Sequence, residues 1–303
     1  MTWDLKLIAT YYVVCSYSDR LSVYTIRQSN NYQPRFTDAE VMTIYLYCSM
    51  DVLHLTDKKE IYEYADRHLR TWFPLLPSYE AFVQRCNNLG AAMGHLADLV
   101  YTDIYTQMPE YQANIREYII DSLPIMLAQR QRAYTGKVAR EIACPGYCAT
   151  KKEWYHGIKL HASGLMAADA RLPVLHAVAL SNAEASDNTI FKQDIARSSC
   201  NSITYADSAY MDEAAAPELS RLYNVTVCSI ERRVKGQPVL YYEQVCQNTA
   251  ISRIRQPIEG LFNWLIVRTG IQIASKCRST KGVIFHIYGK IAASAIYLLL
   301  FNS

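Results

Sequence analysis

The sequence predicts an α/β protein in which a mixed β-sheet is flanked by helices and preceded by an all-helical N-terminal region. Three observations support this fold class. Over residues 1–118, apolar residues recur every three or four positions, which is the spacing of helices. Five short runs rich in β-branched and aromatic residues, typical of buried strands, lie between residues 118 and 230. After residue 250 helical spacing returns and ends in the apolar segment 284–300.

Composition narrows the class of protein further. The chain has 303 residues, with 50% hydrophobic and 19% charged side chains, so it can bury a core and is not disordered. Its nine cysteines lie mostly beside apolar neighbours, which favours reduced core thiols in a cytosolic protein. No basic and apolar leader opens the chain, and the longest apolar run, residues 291–301, is too short to span a membrane.

Two helix starts are visible in the N-terminal region. Thr37 and Glu40 form a capping-box pattern, and Ser78 is the expected N-cap of a helix that runs toward Gly90. Short capped helices with Arg85 facing outward could form a helix-turn-helix that reads DNA. Residues 1–120 carry 10 Lys and Arg against 14 Asp and Glu, however, and this negative charge opposes phosphate binding. A plain helical scaffold is therefore favoured.

The expected strands begin where the pattern changes at Glu117. They are residues 118–120, 154–161, 172–180, 203–206 and 225–230. A helical stretch over residues 211–222 separates the last two strands. Two strands joined through a helix usually run parallel, so a βαβ unit is predicted here.

Two acidic residues each follow an apolar run and precede a serine. Asp121 and Asp207 are therefore expected at strand ends along one edge of the sheet. Glu259 is expected near the start of a helix, four residues after Arg255. Carboxylates that converge from separate segments can hold Mg²⁺, which prefers oxygen ligands. Two such ions can stabilise the attacking and leaving oxygens of a phosphoryl transfer.

Each acid taken alone also has a structural explanation. An Asp after a strand often forms a turn, and a Glu in the first turn of a helix is stabilised by the helix dipole. Pro257 at the first helical position would favour this explanation for Glu259. Only the three acids together, in this order and context, favour a metal site.

Four segments resemble the motifs of DDE transposases of bacterial insertion sequences, in particular those of the insertion sequence 982 type within the insertion-sequence-4-like class. They are residues 120–124 around Asp121, residues 155–161, residues 206–210 around Asp207, and residues 255–262 around Glu259. Segments 36–41 and 76–79 are similar as well, so the resemblance covers nearly the whole chain.

The resemblance implies a ribonuclease-H-like catalytic domain over residues 116–303. A helical domain over residues 1–115, with a possible helix-turn-helix for DNA-end recognition or dimerisation, would precede it. Asp121, Asp207 and Glu259 would bind Mg²⁺, or Mn²⁺ in its place, and catalyse cleavage of the element ends and joining of the 3′-hydroxyls to target DNA. The implied partners are double-stranded DNA, as terminal inverted repeats and as target, and further copies of the chain in a homodimer or larger oligomer, with no membrane. The implied location is the bacterial cytosol, in association with the nucleoid.

The chain departs from the wider family pattern near Glu259 and Asp207. Related transposases commonly carry a Tyr seven residues before the catalytic Glu and a Lys seven residues after it, where this chain has Ser252 and Ile266. The second acid usually follows a Gly, and here it follows Ala206. DNA contacts inferred from the wider pattern are therefore open.

Basic residues are concentrated in the catalytic half. Residues 228–290 carry 10 Lys and Arg against 3 Asp and Glu, although the whole chain has a net charge of only +3. We expect this half to make most of the contacts to DNA phosphates, which supply much of non-specific affinity. The candidate DNA-binding residues are Arg130, Arg132, Lys151, Lys152, Lys159, His161, Arg253 and Arg255.

Several side chains have two interpretations. Lys159 and His161 should share one strand face, where they either meet phosphate or are exposed polar residues. Asp187 is either an additional carboxylate or, more in keeping with its context, the N-cap of a helix over residues 188–195. Cys144 and Cys148, with the two histidines of residues 156–161, could bind zinc. Their spacing fits no compact zinc module, so residues 144–148 are better explained as a turn.

Two alternatives to a transposase stay open at the level of sequence. A metal-dependent nuclease of the same fold would cut DNA without joining it. A catalytically silent DNA-binding relative would keep the three acids without activity. Strand joining distinguishes the first alternative, and divalent-cation binding distinguishes the second.

Overall fold

The computed structural model describes residues 2–25, 34–50, 53–112, 116–166, 172–210, 216–233 and 235–301. The chain divides into two compact units. The first comprises Met1–Ile104, Lys137–Glu141 and Leu265–Ser303, and the second comprises Tyr105–Gly136 and Ile142–Trp264. Residues 265–303 thus cluster with the N-terminal helices, and the division into residues 1–115 and 116–303 stays a prediction.

The order of the elements follows the sequence prediction: helices come first, strands dominate residues 117–229, and helices return after residue 240. The helices are α1 (Trp3–Ser16), α2 (Ser18–Thr25), α3 (Asp38–Ser49), α4 (Lys58–His68), α5 (Tyr79–Asn88), α6 (Gly90–Gln107), α7 (Pro109–Gln112), α8 (Asp187–Ile190), α9 (Ala216–Tyr223), α10 (Tyr242–Thr269) and α11 (Thr280–Phe301). The strands are β1 (Glu117–Gln129), β2 (Cys144–Cys148), β3 (Glu153–Leu165), β4 (Val174–Asn182), β5 (Ser202–Ala206) and β6 (Val225–Ser229).

The predicted starts of α3 and α5 are confirmed. The Thr37 hydroxyl accepts a hydrogen bond from the Glu40 amide at 3.2 Å, and the Glu40 carboxylate accepts one from the Thr37 amide. The Ser78 hydroxyl caps α5 by accepting a bond from the Ala81 amide. The expectation that Arg85 faces outward is wrong, because its guanidinium forms a largely buried ion pair with Asp38. Arg85 is therefore a structural residue of the first unit.

Helix α11 is central to the first unit. It packs against α3 and α5, and Gly289 lies so close to the Tyr45 ring that an added Cβ would be 2.5 Å from it. Lys290 is fully buried, where its ammonium donates hydrogen bonds to the Ser49 hydroxyl and the Leu55 carbonyl. Burial lowers the pKa of Lys290 to about 7. Helix α11 is long and apolar enough to cross a membrane, but 72% of its most apolar window is buried inside the protein.

The described strands of the second unit form a six-stranded mixed sheet. The order is β2-β3-β1-β5-β6, and β4 also pairs with β3. Strand β3 is antiparallel to β1, β2 and β4, whereas β5 is parallel to both β1 and β6. The predicted parallel βαβ unit is confirmed for β5, α9 and β6, and residues 211–215 of the expected helix lie outside the described residues.

Two predictions about the strands are wrong, namely the end of β1 and the assignment of residues 144–148 as a turn. Strand β1 does not end at Asp121 but continues to Gln129, through Pro124. Proline is tolerated here because β5 pairs with β1 only over residues 117–119, so beyond them no neighbour on that edge requires an amide. Residues 144–148 are strand β2 rather than a turn, since their cysteines pack with Met126 and Tyr155 while the backbone pairs with β3.

Helix α10 begins earlier than the sequence suggests. It starts at Tyr242, so Pro257 lies inside the helix and not at its first position. Glu259 is therefore in the helix interior, beyond the reach of the N-terminal dipole. The dipole explanation of Glu259 is wrong.

Candidate active site

Asp121 and Asp207 lie beside each other because of the parallel pairing of β1 with β5. In that pairing Ile119 is opposite Tyr205. Continuing the register by two residues on each strand sets Asp121 opposite Asp207, on the same face of the sheet. Asp207 directly follows the end of β5, and the pairing of β1 with β5 ends at Ile119, two residues before Asp121. The two carboxylates therefore meet at the carboxyl end of the parallel part of the sheet.

The two aspartates have the same local geometry. The Asp121 carboxylate accepts a hydrogen bond from the Ser122 amide at 2.8 Å, and the Asp207 carboxylate accepts one from the Ser208 amide at 2.6 Å. In each case the amide belongs to the next residue in the chain. The Asp-Ser pairs seen in the sequence thus orient both carboxylates in the same way.

Glu259 reaches this region through Arg255. The two residues are one turn apart on α10, and Ile258, Leu261 and Leu265 bury the neighbouring face of that helix. Arg255 Nη1 donates to Asp121 Oδ2 at 2.7 Å, and Arg255 Nη2 donates to Glu259 Oε1 at 3.4 Å. The guanidinium therefore lies between two of the three candidate metal ligands.

Burial dominates the protonation of Asp121. It raises the pKa of the carboxyl to about 6, against the opposing effects of the Arg255 guanidinium and the Ser122 amide, and the nearby Asp207 carboxylate raises it further. Asp121 is therefore a carboxylate that requires positive charge beside it to stay ionised. Arg255 supplies that charge in this structure.

Two of the three carboxylates expected to bind a divalent cation are in place, and the third is not. The adjacent carboxylates of Asp121 and Asp207 are the oxygen donors that Mg²⁺ prefers. Within the described parts of the chain, no three His, Cys, Asp or Glu side chains are close enough to hold a metal ion together. The Glu259 side chain is 64% exposed and turned toward Arg255. In a three-carboxylate site, Glu259 would have to give up its contact with Arg255 and bind the cation instead.

Lys159 and His161 share one face of β3, as predicted, and that face meets Asp187. Lys159 Nζ donates to Asp187 Oδ1 at 3.0 Å, and His161 Nδ1 lies 3.7 Å from the same oxygen. His161 is fully buried and also bonds to the Ser181 hydroxyl. Burial lowers the pKa of His161 to about 4, so its imidazole is neutral at pH 7. Neither description offered by the sequence, phosphate contact or exposure, fits His161.

The N-cap interpretation of Asp187 is wrong. Asp187 is the first residue of α8, and the N-cap position belongs to Ser186, whose side chain makes no capping hydrogen bond. The Asp187 carboxylate is paired with Lys159 instead. It is therefore an additional carboxylate of the second unit.

Four of the candidate DNA-binding residues lie far along the sheet from the aspartates. Arg130 and Arg132 follow the end of β1, and Lys151 and Lys152 precede β3, with which that end of β1 pairs. All four are exposed. Nine residues separate Arg130 from Asp121, which corresponds to about 30 Å along an extended strand. These four cations therefore lie away from the carboxylates.

A cleft lies along α10 and leads to Glu259. It has a volume of about 530 Å³, and its mainly polar lining includes Asn248, Ser252, Arg253 and Gln256. Arg253 is exposed there, whereas Arg255 is largely buried against the acids. Ser252, one of the positions at which the chain departs from the motif that it resembles, is part of this lining.

Sequence reasoning missed Tyr210 as a residue of this region. Its ring belongs to the apolar cluster that contains Ile120 and Ala206, the residues directly before Asp121 and Asp207. The signal available was its position three residues after Asp207, within the segment already identified as a motif. A tyrosine there could equally have been a surface residue.

The fold and the two adjacent aspartates together define a class of protein. A curled mixed sheet flanked by helices, with two aspartates at the end of its parallel strands, is consistent with a ribonuclease-H-like DDE fold. The transposase DDE domain family matches residues 113–296, more than half of the chain, and the chain belongs to this family. Membership indicates DNA binding and transposase-type cleavage and transfer of DNA, which generally uses divalent metal ions. Comparisons with curated proteins and with solved structures give no match.

Proposed function

We propose that this protein is a DNA transposase of the insertion sequence 982 type, which cleaves the ends of its element and joins the 3′-hydroxyls to target DNA. Asp121, Asp207 and Glu259 are the proposed catalytic metal ligands. The observation that carries the proposal is the meeting of Asp121 and Asp207 at the end of the parallel strands, with Arg255 joining Asp121 to Glu259.

The chemistry divides between the cation and the chain. Mg²⁺ held by Asp121, Asp207 and Glu259 would supply activation of the attacking water or 3′-hydroxyl and stabilisation of charge on the leaving oxygen. Asp121 and Asp207 provide oxygen ligands from rigid strands, which favours a fixed geometry. In the absence of a cation, Arg255 balances the charge of Asp121 and makes a longer, exposed contact with Glu259. If a cation were held by these carboxylates instead, the guanidinium would be available for a DNA phosphate, a ligand that it can hold with two hydrogen bonds.

The proposed DNA path extends in two directions from the carboxylates. Arg253 and the polar residues of the α10 cleft lie on one side. Arg130, Arg132, Lys151 and Lys152 lie about 30 Å away along β1, a distance equal to about nine base-pair steps of duplex DNA. These four contact the duplex flanking the cleavage point and not the scissile phosphate. Two copies of the chain or more act together, one on each element end.

The test is cleavage and joining of DNA by the full chain. The substrate is linear DNA with the inverted repeats that bracket the reading frame, and the target is a supercoiled plasmid. Asp121→Asn should abolish cleavage and retain DNA binding, because the amide supplies no anionic ligand. Asp194→Asn, an exposed change in the same unit, serves as the matched control and should keep wild-type activity. Full activity of Asp121→Asn would refute the assignment.

Pre-cleaved end DNA separates the proposal from its two alternatives. A transposase yields joined product with the plasmid target, whereas a nuclease of the same fold yields only cut DNA. A silent relative binds the ends but gives no heat signal when titrated with Mg²⁺ or Mn²⁺. If the wild type gives joined product and Asp121→Asn does not, the result supports the transposase and neither alternative.

A further inference from the structure

Three exposed aromatic rings contact one another at the end of the sheet that lies away from the aspartates. Tyr134 is 61% exposed, Tyr147 is 51% exposed and Trp154 is 47% exposed. The centroid of the Trp154 ring lies 5.4 Å from the centroid of each tyrosine ring. Among residues 129–154 these three are the exposed large apolar side chains. The surface that they form, called the aromatic cluster below, is therefore made of rings and has no large aliphatic part.

Two of the rings are held by regular sheet pairing. Tyr147 on β2 lies directly opposite Trp154 on β3. Their chain neighbours Cys148 and Tyr155 belong to a buried cluster that also contains Met126. Since alternate residues of a strand point to opposite faces of a sheet, Tyr147 and Trp154 lie on the other face. Their position is thus fixed before any ligand binds.

Tyr134 is held against Trp154 by an anchored loop. Before it, Ala133 is fully buried, and its amide donates a hydrogen bond to the Arg130 carbonyl at 2.9 Å. After it, Gly136 lies so close to the His156 ring that an added Cβ would be 2.5 Å from it. The loop is therefore fixed on both sides of an exposed ring.

Positive charge flanks the aromatic cluster. Glu153 is the single acidic residue in segments 129–135 and 147–154. It contacts Arg130 at 3.4 Å, but the arginine side chain is 83% exposed, and an ion pair so accessible to water is weak. The same two segments carry four exposed cations, namely Arg130, Arg132, Lys151 and Lys152.

Stability explains only part of this arrangement. A cross-strand aromatic pair such as Tyr147 and Trp154 stabilises a hairpin. Tyr134 belongs to no strand and is the most exposed of the three rings. Contiguous exposed apolar surface marks a place where something binds. Exposed ring faces beside cations suit nucleic acid, because bases stack on the rings while the cations contact the phosphates.

We propose that the aromatic cluster is a platform on which bases of unpaired DNA stack, with the flanking cations on the phosphates of that strand. Bases inside a duplex are enclosed in its stack and do not offer their faces to a protein, so the rings select unpaired nucleotides. The cations serve paired and unpaired DNA alike. This inference goes beyond the proposed function and does not depend on the assignment of the catalytic acids.

The test compares single-stranded with double-stranded DNA on the full chain. The probes are a fluorescent oligothymidine of about 12 nucleotides, within the site sizes of single-strand binding proteins, and a blunt duplex of random sequence. Tyr134→Leu removes the ring and keeps an apolar side chain, whereas Tyr134→Phe keeps the ring. Tyr12→Leu changes a tyrosine of α1 that is 72% exposed and serves as the matched control. Anisotropy gives the affinities, and thermal unfolding midpoints show whether each variant is folded.

Tyr134→Leu should bind oligothymidine about fivefold more weakly, the lower end of the effect of removing a stacked ring. Its affinity for the duplex should be unchanged, because paired bases do not reach the cluster. Tyr134→Phe and Tyr12→Leu should bind both probes as the wild type does.

Cross-linking tests the platform without any substitution. Oligothymidine in which iodouracil replaces thymine should cross-link under ultraviolet light to wild-type peptides that contain Tyr134, Tyr147 or Trp154. Cross-links confined to other parts of the chain would overturn the inference.

The binding experiment has four outcomes that would also overturn it. Unchanged oligothymidine affinity in Tyr134→Leu would show that the ring holds no base. An equal loss on the duplex would show a general DNA surface, and an equal loss in Tyr134→Phe would implicate the hydroxyl instead of the ring. A changed sedimentation coefficient of Tyr134→Leu without DNA would indicate a contact between copies of the chain. Each of these results leaves the cleavage and joining test with Asp121→Asn untouched.

Discussion

Arg255 is the residue on which the electrostatics of the site depend. Its guanidinium is 13% exposed and contacts Asp121, a carboxylate that is itself 25% exposed, as well as the exposed Glu259. An ion pair this far from water is weakly screened, and removal of one partner leaves the other as an uncompensated buried charge. The contact with Glu259 is longer and exposed, so it contributes little. The two contacts of one side chain therefore differ in energy.

Arg255→Met should lower the free energy of unfolding by about 2 kcal/mol, less than the loss for a fully buried pair because some water reaches this site. The unbranched methionine keeps much of the packing of the arginine stem while removing the charge. Urea unfolding at pH 7 with a chelator measures the change. Glu259→Gln is the control and should cost less than about 0.5 kcal/mol. Equal losses in the two variants would contradict the difference between the contacts.

At the scale of elements, the pairing of β1 with β3 decides where Asp121 lies. The register continues along most of both strands and places Asp121 opposite Ala162. Gly157 permits the close approach, since a Cβ there would lie 2.0 Å from the Ile125 carbonyl oxygen. That distance is far inside contact, and the obstacle is backbone rather than a flexible side chain. The glycine is therefore required for the strands to pair.

Gly157→Ala should destabilise the second unit by about 3 kcal/mol, because the added methyl must push β1 and β3 apart. Gly164→Ala on the same strand is the control. Its Cβ would meet only side-chain atoms at 3.3 Å or more, so it should cost roughly 1 kcal/mol or less. Urea unfolding of both variants gives the comparison. A smaller loss in Gly157→Ala than in Gly164→Ala would show that the strands do not pair as described.

Helices and strands that depend on residues close together in the sequence could be predicted, whereas those that depend on distant contacts could not. Side-chain caps within four residues predicted α3 and α5, and apolar runs located five of the six strands. The start of α10 was missed because Pro257 is typical of a first helical position. The continuation of β1 was missed because Asp121 and Ser122 interrupt the apolar run. Pro124 is accommodated by an unpaired strand edge, which is a property of the assembled sheet.

The candidate site was predictable to a similar degree. The family motifs pointed to Asp121, Asp207 and Glu259, and the strand order accounts for the first two. The pairing of Arg255 with Asp121 joins residues 134 positions apart and has no local signature. The same holds for Asp187, whose contact with Lys159 overrides its local tendency to cap a helix. Long-range ion pairs are what the sequence alone did not reveal.

At the scale of the whole molecule, the C-terminal residues belong with the N-terminal helices. Helix α11 has a largely apolar surface that α3 and α5 help to cover. A fragment that starts near residue 115 would lack both helices and leave that surface exposed to water. Contributions of the catalytic half to DNA binding are therefore better measured by substitutions in the full chain than by truncation.

The distribution of charge predicts which substitutions matter for DNA binding. Residues 121–303 carry 21 Lys and Arg against 14 Asp and Glu, whereas residues 1–120 carry 10 against 14. Replacing Arg130, Arg132, Lys151 and Lys152 together by Ala should reduce the slope of log K against log salt by about 3 to 4, since each phosphate contact contributes about 0.9.

The matched control replaces four exposed cations of the N-terminal helices, namely Arg20, Lys59, Arg67 and Arg70. Its slope should stay near that of the wild type, because neighbouring acids oppose phosphate there. Fluorescence anisotropy on a duplex of random sequence, over a series of salt concentrations, measures both slopes. A larger change in the control set would place the main DNA surface on the N-terminal helices.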